Sequence, residues 1–147
     1  MNNKLNLDNI RDVQKSAKDR ILKVVDMSKK KKPGNLGIYE KYIDLVIYTN
    51  DIIRKFPKSE KFALVDEIKK ATYVGLRNLM YAIKTYDKDD KIRFLREIDI
   101  NMAILRVHVR LAARYKYISE TNYEAWSSKI TTVCNMLGAW ITACQKR

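Results

Sequence analysis

Lys70, Tyr73, Arg77, Tyr81 and Lys84 follow one another at intervals of three, four, four and three residues, so a helix carries all five on one side. Cations alternating with rings suit single-stranded nucleic acid, because the cations neutralise phosphates while a ring stacks on an unpaired base. The same pattern also suits a subunit contact, with tyrosines packing and lysines snorkelling around them. A second basic group, Arg96, Arg106, Arg110 and Arg114, returns to one flank of a later helix and has Asp99 in its line. Arg106 and Arg110 therefore have two readings, as ion-pair partners of Asp99 or a neighbouring acid, or as phosphate ligands. Lys29, Lys30, Lys31 and Lys32 form a run that serves either as a solvated tail or as an arm on nucleic acid. Between the two helical groups, the Lys70 to Lys84 face is the better candidate for direct phosphate contact.

Bond-making chemistry has little to work with. His108 is the one histidine, and neither Cys134 nor Cys144 stands at a spacing that would make a metal site with it. Helical RNases of the HEPN type place an arginine ahead of a histidine with four to six residues between them. The positions concerned here are Asn101, Met102 and Ala103. Phosphate-cradling glycine loops are absent, and the pair Glu97 and Asp99 falls on different sides of a helix with no Glu-x-x-His partner. The two cysteines are ten residues apart on one helix, about 15 Å along its axis, too far for a disulfide to each other. The expectation is a protein without catalytic residues, metal or cofactor.

Helices must position these residues. The chain has 147 residues, 46% of them apolar, with four glycines and two prolines, so turns are few and the class is all-α. Thirty Lys and Arg against 17 Asp and Glu give a net charge of +13, a field that favours polyanions. No stretch approaches the length of an apolar membrane span and the first residues have no signal-peptide core, so the reading is a cytoplasmic protein with no membrane partner.

A first helix is expected over 8–31, with a narrow stripe of Ile10, Val13, Ala17, Ile21, Val24 and Val25, closed by Pro33-Gly34. Residues 1–34 hold ten of the cations and four aspartates, hence +6 of the +13, and read as a basic extension to a main body at 35–147. Four helices follow. The first, over 36–55, buries Tyr39, Tyr42, Leu45, Val46, Thr49, Ile52 and Ile53, and turns at Phe56-Pro57. Another, over 57–86, buries Phe62, Val65, Ile68, Thr72, Leu76, Leu79 and Ile83. The last, over 120–145, carries Trp126, Ile130, Val133, Leu137, Trp140, Ile141 and Cys144 as a seam, with Ser119 as its N-cap. Its internal Gly138 implies close approach of a neighbouring helix beside Trp140.

Between them, over 92–115, the third helix of the body has two apolar stripes. Leu95, Ile98, Met102, Leu105, Val109 and Ala112 form one; Ile100, Ile104, Val107 and Leu111 form the other, on roughly the opposite side. Asp87, Asp89 or Asp90 can cap it. Helices joined by such short breaks make an up-down-up-down four-helix bundle with an appended N-terminal helix. A bundle buries one stripe per helix, so the second stripe calls for another surface, a neighbouring subunit or the appended helix. The subunit is preferred, and the expected assembly is a homo-oligomer.

FPKSEKFAL at 56–64, LREID at 95–99 leading into ILRVHVRLAARY at 104–115, KYISETNYEAW at 116–126, and LGAW at 137–140 occur in this order. Together they resemble the accessory variability determinant (Avd) family of diversity-generating retroelements, within the wider four-helix-bundle family that includes proteins of ribosomal-RNA intervening sequences. The resemblance covers about 36–142; residues 1–34 lie outside it, and Ala139 stands where a second glycine is expected. It implies a non-catalytic basic protein, bacterial or phage-encoded, that forms a cyclic homopentamer. The implied partners are the element's reverse transcriptase and template RNA, possibly DNA, and the implied role is support of mutagenic cDNA synthesis. Alternatives are a protein of the intervening-sequence type, an adaptor that binds only a protein partner, or a membrane-surface protein using the helix at 8–32, whose lysines cluster at one end instead of lining a face.

Overall fold

Side-chain caps decide where two of the helices begin. Asp87 accepts from the Asp90 backbone N–H at 3.0 Å and the Ser119 hydroxyl accepts from that of Asn122 at 3.1 Å, satisfying donors that a first helical turn leaves open. In the computed structural model, which describes residues 35–146, four helices result: α1 (Asn35–Ile53), α2 (Leu64–Lys84), α3 (Lys88–Arg114) and α4 (Glu120–Gln145). The helix expected over 8–31 and the run Lys29 to Lys32 lie outside the described residues. Among the described residues there is no strand, and no helix is long and apolar enough to cross a membrane.

Neighbouring helices run antiparallel. Along α3, Lys88, Lys91 and Arg106 meet Gln145, Trp140 and Thr131 of α4 in reverse order. Tyr81 of α2 stacks on Phe94 of α3, with ring centroids 5.1 Å apart. Tyr48 and Thr49 of α1 bond Asn122 and Trp126 at the start of α4, and Asn50 reaches Tyr73 of α2. The up-down-up-down order follows from these pairs.

Apolar residues at helical spacing supply the shared core. Leu95, Ile98, Met102, Leu105, Val109 and Ala112 of α3 are all buried, as are Trp126, Ile130, Val133, Leu137, Trp140 and Cys144 of α4. Each large aliphatic side chain in this set contributes about 1.5–3 kcal/mol through removal from water. At one end, Phe56 packs against Tyr117 and Trp126 with centroids 5.6 and 6.4 Å apart, so the α1–α2 corner is pinned by rings. The Trp126 indole donates to the Thr49 hydroxyl at 3.0 Å, which satisfies both buried polar groups.

Three expectations need correction. Pro57 does not open α2: it is extended, and a single 3-10 turn, Lys58–Glu60, precedes a helix that begins at Leu64. Glu60 reaches forward to the Leu64 N–H, 3.2 Å away. Phe62 therefore sits on a turn and is 87% exposed, not buried. Gly138 has open space where a Cβ would stand, so no helix among the described residues approaches it. Close approach occurs instead at Gly75, where a Cβ would collide with the Tyr42 hydroxyl. Tyr42, wholly buried, uses that gap to donate to the Thr72 carbonyl at 2.6 Å, and burial pushes its phenol far above the usual tyrosine range.

The two glycines predict opposite outcomes. Gly75→Ala is expected to lose roughly 2–4 kcal/mol of stability, through overpacking and loss of the Tyr42 bond. Gly138→Ala is expected to gain up to about 1 kcal/mol of helix propensity. Urea denaturation of both variants checks the difference in sign.

A second consequence concerns the end of α3. The Lys116 N–H donates to Ala113 and the Tyr117 N–H to Ala112, at 3.0 and 2.9 Å, and Lys116 lies at φ 61. This is a Schellman cap with lysine at the left-handed position that usually holds glycine. Lys116→Gly is expected to raise stability by roughly 0.5–1 kcal/mol, read from the same denaturation curves.

Candidate nucleic-acid interface

The α2 face carries Lys70, Tyr73, Arg77, Tyr81 and Lys84 outward, as their spacing requires. Their surroundings differ. Lys70 lies 3.0 Å from Asp66 and 4.0 Å from Glu67, one turn back on the same helix. The Asp66 hydrogen bond, then the charges of Asp66 and Glu67, raise its pKa above the ordinary lysine value, so the ammonium is held charged but already partnered. Arg77 and Lys84 are exposed and have no ion-pair partner among the described residues. Tyr73, 47% exposed, accepts from the Asn50 amide at 2.9 Å, and Tyr81 is occupied by Phe94. Tyr73 is thus tied to α1 through its hydroxyl and Tyr81 is stacked on α3, and both remain exposed.

The arginines of α3 divide in a different way. Arg106 is half-buried and donates to the Thr131 hydroxyl of α4 at 2.8 Å. It also favours the charged form of Cys134, whose pKa is nonetheless raised, chiefly by burial and in smaller part by Asp99. Arg106 thus crosses to α4 and is not bridged to Asp99. Arg96, Arg110 and Arg114 are exposed, and none has an ion-pair partner among the described residues. Asp99 does not neutralise the ridge.

Arg110 and Arg114 line an open groove of about 530 Å³ with Ala113, Lys116, Ile118, Glu120 and Tyr123. The α3 cap builds this groove. By turning the chain at Lys116, it brings the last turn of α3 and the first turn of α4 to the same hollow. Lys116, Glu120 and Tyr123 were not among the residues singled out from sequence. Their spacing on either side of a turn carries no helical period, and lysine gives no sign of a left-handed position.

Beside these cations the outer stripe of α3 stands uncovered. Ile100, Ile104, Val107 and Leu111 are 52, 41, 58 and 36% exposed. Over 131–143 the exposed side of α4, with Thr131, Asn135, Gly138, Ala139, Thr142 and Ala143, holds no charged residue, whereas Glu120 and Glu124 are exposed in its first turns. His108 is half-buried, with an unpartnered, buried Nδ1. Among the described residues no cluster of three His, Cys, Asp or Glu side chains could hold a metal ion. Cys134 and Cys144 are free thiols.

No curated protein matches the chain significantly. Residues 36–144, the whole bundle but for its last residues, match the family model described as bAvd-like, and the chain belongs to that family of accessory variability determinants.

Proposed function

We propose that this chain is the non-catalytic accessory protein of a diversity-generating retroelement, acting in the cytoplasm of a bacterium on the element's reverse transcriptase and template RNA, and possibly on the cDNA. The observation that carries the reading is the family match over 36–144, which spans the bundle. Two physical features support it. Arg77, Lys84, Arg110 and Arg114, which have no ion-pair partner among the described residues, give the bundle surface cations for phosphates, and Lys29, Lys30, Lys31 and Lys32 add to its charge. Ile100, Ile104, Val107 and Leu111 give it an apolar surface for assembly. Assembly is as a cyclic homopentamer, which repeats each cation around a ring and makes binding multivalent.

Within this reading the α3 stripe meets a different surface of the next copy. A face that met itself would close a dimer, whereas unlike faces in contact continue around a ring. The exposed side of α4 over 131–143, small and uncharged, is the natural receiver, because knobs such as Ile104 and Val107 need shallow positions and Gly138 offers one.

The direct test is co-purification of the full chain with the reverse transcriptase of the same genomic neighbourhood, with cDNA synthesis on the element's own template measured with and without it. Retention of the enzyme and a strong stimulation of cDNA are expected. Retention that survives nuclease treatment and moderate salt, with no affinity for RNA, would favour an adaptor that contacts protein only. For the assembly, light scattering on the full chain is expected to give about five times the monomer mass. Ile104→Glu combined with Val107→Glu should reduce it to a monomer with unchanged helix content.

Nucleic-acid affinity should fall steeply with salt, since each phosphate neutralised releases a counterion. Arg77→Ala with Lys84→Ala is expected to lower the slope of log K against log salt by about 1 or more per chain engaged. Lys70→Ala is expected to change it little, because Asp66 and Glu67 already hold that ammonium. A titration series across salt concentrations distinguishes the two.

A further inference from the structure

The groove at the α3–α4 turn is the place where unpartnered charge, an aromatic floor and backbone strain coincide. Arg110 and Arg114 stand one helical turn apart on α3, and Lys116 follows at once from the cap, so three cations border one hollow of about 530 Å³. None of the three has an ion-pair partner among the described residues, although Glu120 lines the same groove. Cations held near one another repel, and such an arrangement is favourable when an anion sits among them.

Lys116 adds an independent sign. At φ 61 it occupies a conformation that costs any residue with a Cβ, where glycine would close the same Schellman cap at less cost. What lysine brings to that position and glycine lacks is an ammonium at the rim of the groove. Strain kept in exchange for a placed charge is the pattern of a binding site.

The remaining walls narrow the ligand class. Ala113, Ile118 and the half-buried Tyr123 make an apolar floor with one ring in it. A bare phosphate needs no such floor, and a duplex offers no base face to it. An unpaired nucleotide fits both parts, with its phosphate among Arg110, Arg114 and Lys116 and its base against Tyr123. Glu120, an acceptor at the α4 side, repels a second phosphate and suits a base edge that bears an amino group.

We infer that the groove bordered by Arg110, Arg114, Lys116 and Tyr123 is a binding site for one unpaired nucleotide of a single-stranded nucleic acid. This inference rests on the nucleic-acid reading above and makes it local. The single strand is gripped at the α3–α4 turn, while Arg77 and Lys84 on α2 attract any phosphate backbone.

Fluorescence anisotropy of the full chain with a labelled single-stranded RNA of mixed sequence, and with a duplex of equal length, tests it. Lys116→Gly is the informative variant, because the fold predicts that it is more resistant to urea than the parent. It is expected to bind the single strand about 3- to 10-fold more weakly despite that gain. Tyr123→Leu is expected to weaken single-strand binding about 5-fold or more and to leave duplex binding within a factor of two. If the parent binds RNA and both variants bind the single strand as it does, the groove is not the site, while the broader reading stands. Equal loss for strand and duplex in Tyr123→Leu also overturns the inference, since it removes the role of the base. If the parent binds neither probe at low salt, the nucleic-acid reading itself fails.

Discussion

A phenol hydroxyl buried between helices must find an acceptor or cost the bundle 1–3 kcal/mol or so, and Tyr42 finds it in the backbone of α2. The bond is possible because Gly75, one turn beyond Thr72, leaves no side chain in the way. Much of the bundle follows from this contact. It fixes how closely α1 approaches α2, and the Met102 methyl lies close behind the glycine, so α3 is held in the same layer. The Thr72 hydroxyl turns back to Ile68 at 2.8 Å and leaves its carbonyl available. The opposite edge of α1 is tied by Thr49 to the Trp126 indole, so α1 has a specific polar latch on each neighbour. Apolar burial supplies the bulk of the stability, and these two latches select one register from those that apolar stripes alone would tolerate.

Sequence periodicity captured what repeats with a helical period. The inner stripe of α3 was legible in full, because six apolar residues at three- and four-residue spacing admit only one buried face. The cap at Ser119 was legible for a similar reason, being a local pattern with a local cause, whereas for α3 the sequence offered Asp87, Asp89 and Asp90 alike and the structure selects Asp87. Phe62 was misplaced because Pro57 is compatible both with a first helical turn and with an extended residue before a 3-10 turn, and only the Glu60 contact to Leu64 decides between them. Close approach falls at Gly75 and not at Gly138 for a different reason: a glycine in a helix is compatible with close approach, but spacing does not say whether a helix is near.

The candidate site was legible only in part. The exposure of Lys70, Arg77 and Lys84 follows from the period of α2, and so does the pairing of Lys70 with Asp66 and Glu67, four and three residues back. Arg106 depends on Thr131, 25 positions away, and no local rule connects them. Lys91 is buried with its ammonium 5.6 Å from the centre of the Trp140 ring, a placement that a surface-charge reading of lysine would miss. The groove is the furthest from sequence, because a left-handed lysine draws together residues from two helices across a turn.

Charge and apolar surface are interleaved on α3, which couples the two proposed activities. Arg110 and Arg114 flank the stripe that ends at Leu111, so in the proposed ring each copy sets these arginines beside its junction with the next copy. Residues 35–147 carry +7 of the +13, and a ring of such bundles opposes its own formation at low salt. Burial of Ile100, Ile104, Val107 and Leu111 acts in the other direction, at about 25 cal/mol per Å² of apolar surface removed from water. A polyanion that lies across several copies removes the repulsion without touching the apolar contact. By mass action it then favours the assembled form, and assembly in turn favours the polyanion by presenting each cation several times. In this arrangement self-association and nucleic-acid binding are two sides of one equilibrium, because the same helix supplies a surface to each.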